Sequence, residues 1–225
     1  MAWRDPVIDY CERQDHSFWS EPLNALTNIA FLLAAAAAFA LWRRQQEADG
    51  PALALILVTG AVGIGSFIFH TVATKGAVLL DVVPIAIFIY GYFFLALRRF
   101  FGLGALASAA ITILFAAFSF IVESSVHGLN GSIGYLPALG ALAVFASLLW
   151  TASGSQPPQR RQTARGLAIA ALIFTISLTF RTIDRDVCNM FPFGAHFLWH
   201  MLNALVLWLL LRTAILAKAA LQPAT

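Results

Sequence analysis

Seven long apolar segments constrain this chain more than anything else in it. They run over 23–42, 51–70, 77–97, 102–122, 133–150, 164–180 and 196–216. A bilayer core about 30 Å thick takes roughly 20 helical residues to cross. The sequence therefore predicts an all-α membrane protein, a seven-transmembrane helix bundle. Composition agrees: 60% of the residues are hydrophobic and 11% charged, where a soluble domain carries about 25% charged residues. Breakers fill the gaps: ADGP, TKG, HGLNGS and the polar run SGSQPPQRRQ. Residues 1–22 read as a polar N-terminal arm, 23–216 as the bundle and 217–225 as a short tail. The arm is mixed in charge, so it does not read as a signal peptide. The net charge of +3 comes from basic residues paired at helix ends, which argues against a nucleic-acid partner.

Lysine and arginine placement sets the expected orientation. Arg43, Arg44, Arg98, Arg99, Arg160, Arg161, Arg165, Arg212 and Lys218 fall on one side, and Arg4, Arg13, Lys75, Arg181 and Arg185 on the other. The richer side is expected in the cytoplasm, with the N-terminus outside and the C-terminus inside. A reporter on the C-terminus is then expected in the cytoplasm; finding it outside would overturn the assignment.

Against this frame three histidines stand out. His70 closes the second segment, and His196 and His200 open the last, spaced i, i+4 in HFLWH so that they share one helix face. With Asp81, near the start of the third segment, they fall in one layer at the outer ends of their helices. Ionisable groups at membrane depth are costly and are functional candidates by default. Three imidazoles with an open fourth position are a catalytic zinc set. The plainer alternative is three interhelical hydrogen-bonding residues. A haem does not fit, because i, i+4 on one helix cannot supply both axial ligands. A transporter site would sit nearer the midplane.

Ser66 lies one turn before His70. It either back-bonds to the carbonyl of Val62 or donates to a developing oxyanion. Asp81 is either a helix N-cap ahead of Pro84 or a buried general base beside a metal's water. Cys11 and Cys188 are the two cysteines, both on the outer side. They are free thiols or, in a compartment that permits it, a disulfide. The arm offers Asp9, Glu12 and Glu21, which are a solvated acidic stretch or carboxylates for calcium. Asn24 and Asn28 follow within the first span as candidates to bridge helices or hold the arm.

At these residues the chain resembles the alkaline ceramidase family, within a superfamily of seven-span hydrolases that also includes adiponectin-type receptors and haemolysin-III-like proteins. The shared pattern is a serine, a histidine four residues later, an aspartate further on and a late H-x-x-x-H. It reads here as Ser66, His70, Asp81, His196 and His200. The ceramidase-specific part is the arm DYCERQ with E-P-L-N, and the D-x-x-x-C from Asp184 to Cys188. The resemblance implies that His70, His196 and His200 bind zinc, that Asp81 activates the metal's water and that Ser66 stabilises the oxyanion. It implies a calcium held by Asp9, Glu12, Glu21, Gln14 and the carbonyl of Tyr10, and a Cys11–Cys188 bond. The chain departs from the pattern at Tyr10, where the family has tryptophan, at Gln14, where it has asparagine, and in a shorter spacing to Glu21.

The implied function is hydrolysis of the amide of ceramide or a similar N-acyl membrane lipid to a fatty acid and a sphingoid-type amine. The alternative within the superfamily is a receptor-like or haemolysin-III-like zinc protein with weak or no hydrolase activity. The compact, Ala-rich chain suggests a bacterial inner membrane, with the active site toward the periplasmic side.

Overall fold

The structure is a computed structural model that describes residues 2–45, 48–152 and 158–219. It is built from helices α1 (Pro22–Thr27), α2 (Ile29–Arg43), α3 (Gly50–Val72), α4 (Lys75–Phe100), α5 (Ala105–Ser125), α6 (Leu136–Thr151), α7 (Pro158–Ile183) and α8 (His196–Ala219). Helices α1 and α2 are one span interrupted at Asn28, so among the described residues seven spans are long and apolar enough to cross a membrane. Among the described residues there is no β-strand, only an isolated bridge between Pro6 and Thr74.

Every expected span has its helix, and the differences lie at the ends. The sixth segment, expected over 164–180, belongs to a helix that starts at Pro158 and continues as a 3-10 turn to Val187. Its first turns, QRRQ, are polar, so an apolar run locates the lipid-immersed part and not the helix. Helix α8 likewise runs to Ala219, past the expected start of the tail. Residues 220–225 of that tail, and 153–157 of the SGSQPPQRRQ loop, lie outside the described residues.

Local chemistry explains where the helices begin. Asp49 caps α3, its side chain accepting from the Ala52 N–H at 3.3 Å, with a proline in the first turn. Thr74 caps α4 in the same way through the Ala77 N–H. The alternative of Asp81 as a helix N-cap is therefore replaced: Asp81 lies inside α4, well past its start. Between α3 and α4 stands Ala73 at φ 45°, a conformation unfavourable for a residue with a Cβ. The arm holds this turn in place. Val7 N–H donates to the Ala73 carbonyl at 2.8 Å, Lys75 N–H to Asp5 at 3.0 Å and Gly76 N–H to Trp3 at 2.9 Å.

Close approach between helices uses small residues, as is usual in lipid. A Cβ on Gly65 would fall on the Leu80 carbonyl, and one on Gly166 would meet Thr213. The first contact joins α3 and α4 at the level of Ser66 and Asp81. Beneath that level the core is largely apolar and includes Phe31, Phe88, Tyr92 and Leu211. At the opposite end Arg99 ties α4 to the α2–α3 connection through Asp49, at 2.8 Å, and to α8 through the Ala214 carbonyl. The outward faces carry large exposed apolar side chains such as Leu106, Leu114 and Phe120. Such a belt would drive association in water, whereas in a bilayer it meets lipid.

Candidate metal centre

His70 lies in the last turn of α3, and His196 and His200 occupy the first two turns of α8, at the end of the bundle covered by the arm. All three are buried, and one ligand atom from each lies within 4.8 Å of the others. Among the described residues no other set of three or more His, Cys, Asp or Glu side chains converges in this way. Nε2 of His70 and Nδ1 of His196 are buried with no hydrogen-bond partner. Orphaned polar atoms are rare and costly in a native interior, and two of them in one cluster of imidazoles suit a shared metal ion. The donor set therefore fits zinc, which favours imidazole ligands and keeps an open position in catalytic sites.

The nitrogens on the far side of two rings are engaged. His70 Nδ1 lies 2.6 Å from Oε2 of Glu21, and His200 Nδ1 lies 3.1 Å from the Thr27 hydroxyl. Such outer contacts fix the tautomer and orientation of a metal-binding imidazole and raise its basicity. Burial works against the charged form of Glu21. Hydrogen bonding to His70 and hydrogen bonds from Arg13 and Asn24 outweigh this and hold the carboxyl below the usual carboxylate range.

Helix α8 is aimed by Asp184. Its buried carboxylate accepts from the N–H groups of Ala195, at 2.7 Å, and His196, at 2.9 Å, through one oxygen, and from Cys11 N–H, at 3.0 Å, through the other. Gly194, at φ 65°, admits this approach, because a Cβ there would run into the same carboxylate. Cys11 and Cys188 form a disulfide. The arm is thus bonded to the loop that enters α8 by a covalent link and by Asp184.

Ser66 is buried on α3 one turn from His70, beside Asp81 on α4. A cavity of about 100 Å³ lies between Asp81 on α4 and the start of α8, lined by Tyr10, Asp81, Tyr135, Arg181, His196 and Trp199 among others. The Tyr10 ring stacks on His196 with centroids 3.7 Å apart. Burial pushes its hydroxyl above the usual phenol range, against the opposing charge of Arg181. The Arg181 guanidinium sits over the rings of Tyr135 and Trp199 and donates to the Asn130 carbonyl at 2.8 Å. Beyond it a wider opening of about 250 Å³ reaches Asp9, Asp184 and Arg185.

The arm's remaining candidates do not gather around one point. Asp9 is half exposed and pairs with Arg185 at 3.0 Å. Both Glu12 oxygens accept from the start of α1, Leu23 N–H at 2.7 Å and Asn24 N–H at 2.8 Å. Gln14 donates to the Cys11 carbonyl, and the Tyr10 carbonyl accepts from Arg13 N–H. Glu21 is committed to Arg13, His70 and Asn24. These residues as arranged do not fit a calcium ion. Asn24 does hold the arm, through Glu12 and Glu21, while Asn28 bonds back to the Asn24 carbonyl within its own span.

Sequence spacing brought out the three histidines, Ser66 and Asp81. It did not bring out the contacts of Glu21 and Thr27 with the histidines, the stacking of Tyr10, or the part played by Asp184 beyond its place in the D-x-x-x-C pattern. One signal was present, since Asp184 stands four residues before Cys188 and twelve before His196.

These features define a polytopic membrane protein with a buried three-histidine centre that suits a metal ion, set beside a serine and a carboxylate. The ceramidase family model matches residues 5–223, nearly the whole chain, and the chain belongs to the ceramidase family. It is thus a ceramidase-like membrane hydrolase. None of the curated proteins matches the chain.

Glu21→Gln is expected to weaken metal retention about 10- to 100-fold, the usual cost of losing an outer-sphere carboxylate. Competition against a graded series of chelators, read by metal analysis, checks this. Metal affinity equal to that of the wild type would contradict the coupling between Glu21 and His70.

Proposed function

We propose that the chain is a zinc-dependent lipid amidase, with His70, His196 and His200 as metal ligands, Asp81 as general base and Ser66 as oxyanion donor. The observation that carries this reading is the convergence of three buried imidazoles, two with unpartnered nitrogens, beside a serine and a carboxylate on the neighbouring helices. When bound, zinc supplies a Lewis acid and lowers the pKa of a coordinated water to about 7.

The substrate is ceramide or a similar N-acyl lipid. Val78, Val82 and Ile85 of α4 form an apolar wall of the cavity. Val82 is also 38% exposed on the bundle surface, so this wall borders lipid, and an acyl chain can pass along it without crossing water. Holding both chains between helices places the amide at the polar end of the cavity, and orientation of this kind is worth much of a rate enhancement. Asp81 accepts a proton from the attacking water and returns it to the nitrogen of the leaving amine. Ser66 donates a hydrogen bond to the carbonyl oxygen as it gains charge. The Tyr10 ring covers His196 and screens the centre from the outer solvent. Water adds to the carbonyl carbon, the C–N bond breaks, and a fatty acid and a sphingoid-type amine leave. The basic-residue balance favours a site facing the periplasmic side of a bacterial inner membrane.

Purified protein is expected to contain zinc and to release fatty acid from at least one of a panel of N-acyl lipids. His200→Ala is expected to lose both metal and turnover. Asp81→Asn is expected to keep the metal and to lose about 10²-fold or more in turnover, the typical share of a general base. Full zinc occupancy with no hydrolysis of any amide or ester lipid would instead support a receptor-like role.

A further inference from the structure

Arg13 is the one buried cation of the arm and is 3% exposed. The proposed mechanism does not use it. Its side chain lies where the arm, the start of the first span and the end of α3 meet. Nε donates to Oε1 of Glu21, Nη1 to the carbonyls of Asp15 and Ser17 at 3.2 and 3.3 Å, and Nη2 to the carbonyl of His70 at 2.9 Å. One carboxylate and three backbone carbonyls are an all-oxygen set of the kind a calcium ion takes. Here all three guanidinium nitrogens donate into that set.

We propose that the Arg13 guanidinium is a built-in cation that fixes the arm to the histidine centre, and that this chain needs no calcium to do so. Three observations support this. First, the carboxylates expected to hold calcium are spent elsewhere: Asp9 on Arg185, Glu12 on the start of α1, and Glu21 on Arg13, His70 and Asn24. Second, the His70 carbonyl belongs to the last turn of α3, where carbonyls lack intrahelical partners and the helix dipole favours positive charge. Third, the fork reaches the centre from two directions. Through Glu21 it acts on Nδ1 of His70, and through the carbonyl it holds the backbone of the same residue. A planar guanidinium with several directed donors makes such a clamp, while a lysine would bring only a point charge. Arg13 is therefore a positioning residue for His70, acting through Glu21.

The proposal rests on the reading of the histidines as a metal centre, but its calcium arm is read without any assay of hydrolysis. The full-length protein, loaded with zinc and desalted into calcium-free buffer, is titrated with calcium chloride. Bound calcium is measured by equilibrium dialysis, and stability by thermal melting in detergent. No stoichiometric calcium and no rise in melting temperature are expected. Arg13→Gln is expected to lower the melting temperature by on the order of 10 °C, since it strands a buried carboxylate. It is also expected to weaken zinc retention about tenfold through the loosened His70. Arg13→Lys, which keeps the charge but not the fork, is expected to fall between the two and covers the case in which the glutamine variant does not fold. Stoichiometric calcium with a higher melting temperature in the wild type would overturn the proposal. So would an Arg13→Gln variant with wild-type melting and zinc retention. A wild-type protein that binds no zinc would overturn the amidase reading and leave the calcium result to be judged alone.

Discussion

The carboxylate of Glu21 accepts from the Arg13 side chain on one oxygen and meets His70 Nδ1 on the other. It has almost no contact with solvent, so each of these bonds acts at low dielectric and leaving either unmade would be expensive. Because Glu21 directly precedes the first span, this pair of contacts joins the arm, the first helix and the end of α3 at one point. Asp184 does the same for the other side of the centre, holding the start of α8 and the backbone of Cys11 with one carboxylate. The disulfide between Cys11 and Cys188 closes the ring of attachments. His70 is thus held from the arm's side through Glu21, the start of α8 by Asp184, and His200 by Thr27 of the first span.

Much of this was legible in the sequence, for physical reasons that also explain what was not. A span has to be long and apolar, so seven of them can be counted. Their ends are set by caps such as Asp49 and Thr74 and by polar turns such as the start of α7, which an apolar window passes over. His196 and His200 sit on one helix at i, i+4, and the alternation of spans brings His70 and Asp81 to the same layer; both facts follow from periodicity and parity. Glu21 meets His70 across 49 residues and Thr27 meets His200 across 173. No spacing rule predicts contacts of that kind. The family pattern draws on the Tyr10 carbonyl alone, whereas its ring stacks on His196. The family pattern makes Glu21 a calcium ligand, whereas its carboxylate here pairs with the Arg13 guanidinium.

The division of labour within the fold follows from the bilayer. Below the centre the bundle is a packed, largely apolar core, and its buried hydroxyls such as Thr59, Ser177 and Tyr92 are turned to backbone carbonyls. The polar apparatus is confined to one end, where water and the lipid headgroup region are close, and α4 connects that end to the surrounding lipid along Val78, Val82 and Ile85.

X-ray absorption at the zinc edge of the purified protein tests the metal centre most directly. Three imidazole nitrogens and one further light atom at about 2.0–2.1 Å are the predicted coordination. A spectrum fitted by sulfur ligands or by a shell of oxygens without imidazole scattering, or a protein that retains no metal, would contradict a centre built on His70, His196 and His200.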